Sequence, residues 1–216
     1  MKKSEAGGQT LSESTYQALS SMILQRDLPG GKVIEERPLS EKLNVSRTPL
    51  RIALSRLHGE GMLERLSNGL YMVPSPTIEE YLDLLQLRRL LEGEACARAA
   101  GRMDAAVLAD LRARIEEMAN REEADLPVYF ALDEDLHMAI ARASGNIALQ
   151  QTIATVRRRV RMCNVNRYPG RFRENCQEHL TILKAIADGD SAAARAALDQ
   201  HLTHVWDGFV DNLARR

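Results

Sequence analysis

The chain has 216 residues, 44% of them hydrophobic and 27% charged, with a formal net charge of −1, which allows one or two domains with a real core and excludes a whole-molecule basic field aimed at nucleic acid. No apolar run approaches the roughly 18 residues of a membrane span, and no hydrophobic stretch follows Lys2 and Lys3 to serve as a secretory signal, so a soluble, cytoplasmic protein with no membrane partner is expected. Cys96, Cys163 and Cys176 form neither an even disulfide framework nor a close metal-binding pair and read as reduced packing residues.

In chain order, a first helix is expected over about 11–25, ended by the turn residues Asp27 to Gly31. A short helix follows near 39–43, then a tight turn through Asn44 and Val45. Ser46 is placed to cap a third helix that runs to about Leu57, with Pro49 tolerated in its first turn. Two short apolar-polar segments flank Asn68-Gly69, a strong hairpin signal. Three helices closed by a β-hairpin make a winged helix-turn-helix. The two prolines of Val73 to Thr77 then mark a break, with Thr77 and Glu80 spaced as a capping box. Domains are therefore expected at 1–75 and 76–216. Ten Lys and Arg stand against eight Asp and Glu up to Ser75, a weak asymmetry, so DNA binding has to come from placed arginines.

Behind the break, Ala, Leu, Arg and Glu dominate and about six helices are expected, with breaks near 101–104, 125–127, 144–146, 168–170 and 189–191. The fold class is mainly α: a winged helix-turn-helix followed by an antiparallel all-helical bundle.

Two sets of residues carry chemistry. In the third helix Arg47 and Arg51 share one face while Leu50, Ala53, Leu54 and Leu57 form the other. That is the division a recognition helix needs, because an arginine fork can bond O6 and N7 of guanine in the major groove. Ser46 and Thr48 hydroxyls could reach phosphates, which position without reading sequence. In the bundle, Asp133 and His137 lie one turn apart on a face with Phe130, Leu136 and Ile140. His179 shares its face with Ile182, Leu183 and Ile186, and His201 lies among Leu198, Leu202 and Val205. Four such groups pointing inward would cost several kcal/mol if uncompensated, and a divalent cation would satisfy them together. One carboxylate with three imidazoles suits zinc first, with nickel or manganese as alternatives, and a metal that accepts more ligands keeps positions for water or a carboxylate. His204 reads as a second-rank neighbour, and His58 has no such company.

The segment from Gly31 to Leu63, with Gly31, Ile34, Glu36 and the string Val45-Ser46-Arg47-Thr48-Pro49-Leu50-Arg51, resembles the N-terminal domain of GntR-type transcription regulators. The resemblance implies a DNA-facing set of Arg37, Ser46, Arg47, Thr48, Pro49 and Arg51, with Asn68 and Gly69 of the wing reaching the minor groove. Ile52 stands where that family usually has Glu, Asn44 where it has Gly, Arg26 for an early Gly, and Pro29 is shifted by one before Gly30-Gly31. The second half is similar to the FCD domain of the FadR subfamily: an Asp-x-x-x-His helix, Ala143-Ser144-Gly145-Asn146, then helices bearing His179 and His201. That resemblance implies a metal held by Asp133, His137, His179 and His201, and an effector carboxylate held by Arg88. From the residues alone, Arg88 reads equally as a surface arginine paired with Glu92 at i+4.

The expected function is a DNA-binding transcription regulator, a repressor by family default, acting as a homodimer on double-stranded operator DNA, with a small organic acid as effector. Two rivals are a metal-dependent hydrolase with a DNA-binding head and a regulator whose bundle only dimerises.

Overall fold

The computed structural model describes residues 10–163 and 171–214. It falls into two compact units, the first reaching Thr77 and including a short stretch from Arg161, the second beginning at Ile78.

In the first unit, helix α1 spans Leu11–Leu24, and the Thr10 hydroxyl oxygen accepts the Glu13 amide at 3.2 Å as its N-cap. The helix ends at Arg26, whose φ of 69° is left-handed. Strand β1 (Val33–Ile34) precedes α2 (Glu36–Leu43) and α3 (Arg47–Gly59), and strands β2 (Glu64–Arg65) and β3 (Tyr71–Met72) complete the wing. Helix α2 starts three residues earlier than its sequence predicts, because Pro38 lies in the first turn, where a missing N–H goes unused. Asn44, at φ 52° and ψ 46°, supplies the left-handed cap that ends α2. Ser46 does sit at the N-cap of α3 but makes no side-chain cap bond.

The wing differs from a two-residue Asn-Gly hairpin. The Leu66 amide donates to the Leu70 carbonyl and the Gly69 amide to the Leu66 carbonyl, each at 2.8 Å. Gly69, at φ 84°, therefore ends a three-residue turn of the kind in which one left-handed residue follows a type I bend. The sheet also has a third strand, with order β1-β3-β2 and both pairs antiparallel. Leu19, Leu50, Leu54, Leu57, Met62 and Leu63 form the fully buried centre of this unit.

The second unit contains α4 (Ile78–Ala99), α5 (Ala105–Ala119), α6 (Leu126–Ala143), α7 (Ile147–Met162), α8 (Phe172–Ala187) and α9 (Ser191–Ala214), six helices among the described residues. The predicted break at 168–170 lies outside the described residues. Helix α4 packs on α9 and α6, and α8 packs on α9 and α5, around a core that includes Ile115, Leu136, Ile140, Ile153, Ile182 and Leu202. This packing brings the inward faces of α4, α6, α8 and α9 together. None of the described helices is long and apolar enough to cross a membrane.

Candidate functional site

The four residues singled out in the bundle do converge. One ligand atom from each of Asp133, His137, His179 and His201 lies within 4.8 Å of every other. His137 Nε2 and His179 Nε2 stand 3.7 and 3.6 Å from Asp133 Oδ1, and His179 Nε2 is 3.3 Å from His201 Nε2. The three imidazoles are buried, with side-chain exposures of 1–2%, whereas Asp133 keeps 19%. Solvent therefore reaches the cluster on the Asp133 side.

Hydrogen bonds behind the cluster set the protonation of its front. Glu92 Oε2 is 2.5 Å from His137 Nδ1, and Glu178 Oε2 is 2.8 Å from His201 Nδ1. An ionised carboxylate only accepts, so each Nδ1 donates, and in a neutral ring the Nε2 is left with a bare lone pair. Burial would raise the Glu92 carboxyl, but Arg88, His137 and Arg157 hold it well below the usual range. Asp133 follows the same pattern, its burial outweighed by Arg157, then His137 and His179. Burial, with Arg157, lowers His137, and burial, with His201, lowers His179 further, so these two rings are neutral near pH 7.

A bare His137 Nε2 beside the Asp133 carboxylate is repelled unless something positive lies between them. His137 Nε2 is in fact a buried polar atom without a hydrogen-bond partner. Ligands about 2.1 Å from a shared cation sit roughly 3.0–3.5 Å apart, so the three separations of 3.3–3.7 Å are close to those of one ion, and the remaining pairs, within 4.8 Å, would have to draw in further. The donor set fits a divalent cation.

Sequence reasoning missed the shell that holds these ligands. Arg157, 4% exposed in its side chain, bonds Asp133 Oδ2 at 2.8 Å and Glu134 Oε2 at 3.0 Å. Glu178 also accepts from His204 Nδ1 at 2.6 Å and from Arg171 at 2.8 Å, so His204 is tied to the cluster through this carboxylate. Arg88 is paired with Glu92, Nε to Oε1 at 2.6 Å, as its i+4 spacing suggests, but the pair is buried rather than at the surface. Cys96, Cys163 and Cys176 are buried.

In the first unit, Ser46, Arg47 and Thr48 are exposed at the start of α3, and Arg51 is exposed one turn on. Pro49 is buried, so it shapes the first turn and presents no contact. Both oxygens of Glu36 hold Arg51 Nε, at 2.9 and 3.1 Å, a partner that sequence reasoning did not find. Arg37 makes an exposed pair with Glu41 at 3.1 Å. At the wing tip Asn68 Oδ1 accepts the Leu70 amide at 3.1 Å, which leaves the Asn68 amide group outward at the turn.

Residues 11–73 match the family "Bacterial regulatory proteins, gntR family" and residues 83–204 match the FCD domain. The Nta operon transcriptional regulator of Aminobacter aminovorans is 30% identical over 84% of this chain and 86% of its own length. The Uxu operon regulator of Haemophilus influenzae is 30% identical over 92% of this chain and 78% of its own. Among solved structures, E. coli McbR/YncC superposes with a TM-score of 0.79 at 22% identity, over 95% of this chain and all of that one, a likeness of fold.

Proposed function

Because the chain belongs to the GntR family of bacterial regulatory proteins, in its FadR-like branch with an FCD domain, we propose that it is a repressor whose hold on operator DNA is set by a divalent cation and a small carboxylate bound in the bundle. It is a DNA-binding transcription regulator and not an enzyme, as its relatives are. The observation that carries the rest is the meeting of three buried imidazole Nε2 atoms with Asp133, two of them turned inward by carboxylates on their far nitrogens.

Asp133, His137, His179 and His201 would hold the ion, zinc first among candidates. When bound it would supply positive charge and open coordination positions for a ligand oxygen. Asp133 is the least buried of the four, so a small organic acid would approach there. Arg88 is assigned the effector contact by its place in the family pattern, and to make it the guanidinium would have to exchange Glu92, which it bonds at 2.6 Å. An acid acts on DNA binding only through unequal affinity for DNA-competent and incompetent arrangements.

In the first unit, α3 is the helix that enters the major groove. Arg47 and Arg51 read base edges, Ser46 and Thr48 contact phosphate, Arg37 exchanges Glu41 for the backbone, and Asn68 with Gly69 follows the minor groove. A homodimer on a pseudo-palindromic site is the matching assembly.

Elemental analysis of protein purified without added metal is the direct test, with about one divalent ion per chain expected. A thermal-shift screen of small carboxylic acids, with and without chelator, should show stabilisation by an acid only while the ion is present. Metal-free protein whose melting ignores both chelator and added ions would leave a bundle that only dimerises.

A further inference from the structure

The exposed arc of α3 is polar except at one position. Arg47, Thr48, Arg51 and Ser55 are all exposed, and at 100° per residue they occupy one side of the helix with Ile52 among them. Leu50, Ala53, Leu54 and Leu57 occupy the opposite side and are at most 1% exposed. Ile52 is 52% exposed, so it contributes little to the core of its own unit. A β-branched side chain also has no intrinsic advantage on a helix surface.

The face that holds Ile52 is the one assigned to DNA, and the inference rests on that reading. Ile52 lies one turn after Thr48 and beside Arg51, the residues placed on backbone and base. Base edges in the major groove present donors and acceptors almost throughout. The C5 methyl group of thymine is their one apolar feature, and it is read by apolar contact.

We propose that Ile52 determines operator specificity by packing on a thymine methyl group at one position of each half-site. Arg47 and Arg51 answer the hydrogen-bonding edges of neighbouring bases. Ile52 then selects A·T over G·C next to them without making a hydrogen bond. Glutamate, the residue the family usually has here, would offer an acceptor in its place and favour a cytosine amino group.

The probe is a duplex that this protein itself selects from a randomised pool, bound at fixed salt because affinity depends steeply on it. Each thymine is replaced in turn by deoxyuridine, symmetrically in both half-sites, which removes only the methyl group. Burying one methyl-sized group is worth about a fourfold change per half-site. One position should therefore show a loss of roughly tenfold or more for the symmetric replacement. Ile52→Ala should abolish the difference between thymine and deoxyuridine there, and Ile52→Val should retain most of it. Being exposed, neither substitution opens a cavity. A flat deoxyuridine scan, or a scan unchanged in Ile52→Ala, overturns the proposal. Arg47→Ala and Arg51→Ala are run beside it: if they too leave binding untouched, the assignment of α3 to DNA fails, whereas weakened binding with a flat scan refutes Ile52 alone.

Discussion

Replacing Glu92 by Gln tests the internal logic of the bundle most directly. Glu92 is 3% exposed in its side chain and lies 2.6 Å from Arg88, 2.5 Å from His137 and 3.5 Å from Arg157. Glutamine keeps the volume, so no cavity confuses the outcome, but it removes the one negative charge shared by these groups. Arg157 still has Asp133 at 2.8 Å and Glu134 at 3.0 Å. Arg88 loses its carboxylate inside the protein. Breaking a buried pair from one side costs about 3–5 kcal/mol, and the partners kept by Arg157 argue for the lower end, about 3 kcal/mol. Trp206 is the chain's one tryptophan and lies in α9, so its fluorescence in urea reports unfolding of the bundle. With a slope of about 2 kcal/mol per molar urea, the midpoint should fall by about 1.5 M. Glu94→Gln, on the same helix but 44% exposed and paired with Arg98 at 3.7 Å, is the control and should cost less than about 1 kcal/mol. If Glu92→Gln behaves like Glu94→Gln, the Arg88–Glu92 pair is solvent-screened and the buried network does not organise the bundle.

Arg26→Gly should stabilise the first unit by about 0.5–1 kcal/mol, the left-handed penalty at φ 69° less the added chain entropy of glycine. Slower amide exchange in α1 would register it, and faster exchange would refute it. Cys96 is fully buried and its thiol is pushed up to about 12, by burial first and then by Glu92. It should therefore resist a disulfide reagent at pH 8 in the native protein and react once urea unfolds the bundle. Labelling of the native protein at the rate of a free thiol would count against that burial.

The convergence of Asp133, His137, His179 and His201 was legible because imidazole and carboxylate on an apolar stripe break a pattern that Ile182, Leu183 and Ile186 or Leu136 and Ile140 otherwise keep. Arg157 breaks its stripe in the same way, four residues after Ile153, one after Val156 and three before Val160, and all four are buried. Arg88 and Glu92 do so on α4, where Leu84, Leu85, Ala95, Cys96 and Ala99 are buried beside them. The pattern was visible, but an arginine beside two more in a row reads as solvated surface unless the facing carboxylates are known. Glu178 carried no such signal, since its value comes from the approach of His201 and His204 on α9. Strand β1 is two residues long and owes its existence to pairing with Met72 and Tyr71, a register that no local alternation encodes. Arg26 and Asn44 are instructive in the opposite direction: both depart from the family's glycine, and both adopt the positive φ that glycine would supply, so the backbone requirement outlasts the residue that usually meets it.

The same network accounts for how so much polarity is tolerated in a bundle core. Each buried arginine faces a carboxylate, Glu92 and Asp133 each stand beside an imidazole, and the three imidazoles turn their Nε2 atoms to a common point. Every link satisfies the charge behind it and passes an unsatisfied acceptor forward. The chain of compensation ends at Asp133 and the three Nε2 atoms, of which His137 Nε2 has no hydrogen-bond partner. On the proposed function a divalent cation would complete it, whereas an added proton would bury a new charge. The residues that close the network come from α4, α6, α7, α8 and α9, so an ion at that point is tied to the placement of five helices at once. On the proposed function, that would give a carboxylate bound beside Asp133 a means of acting on the bundle as a whole.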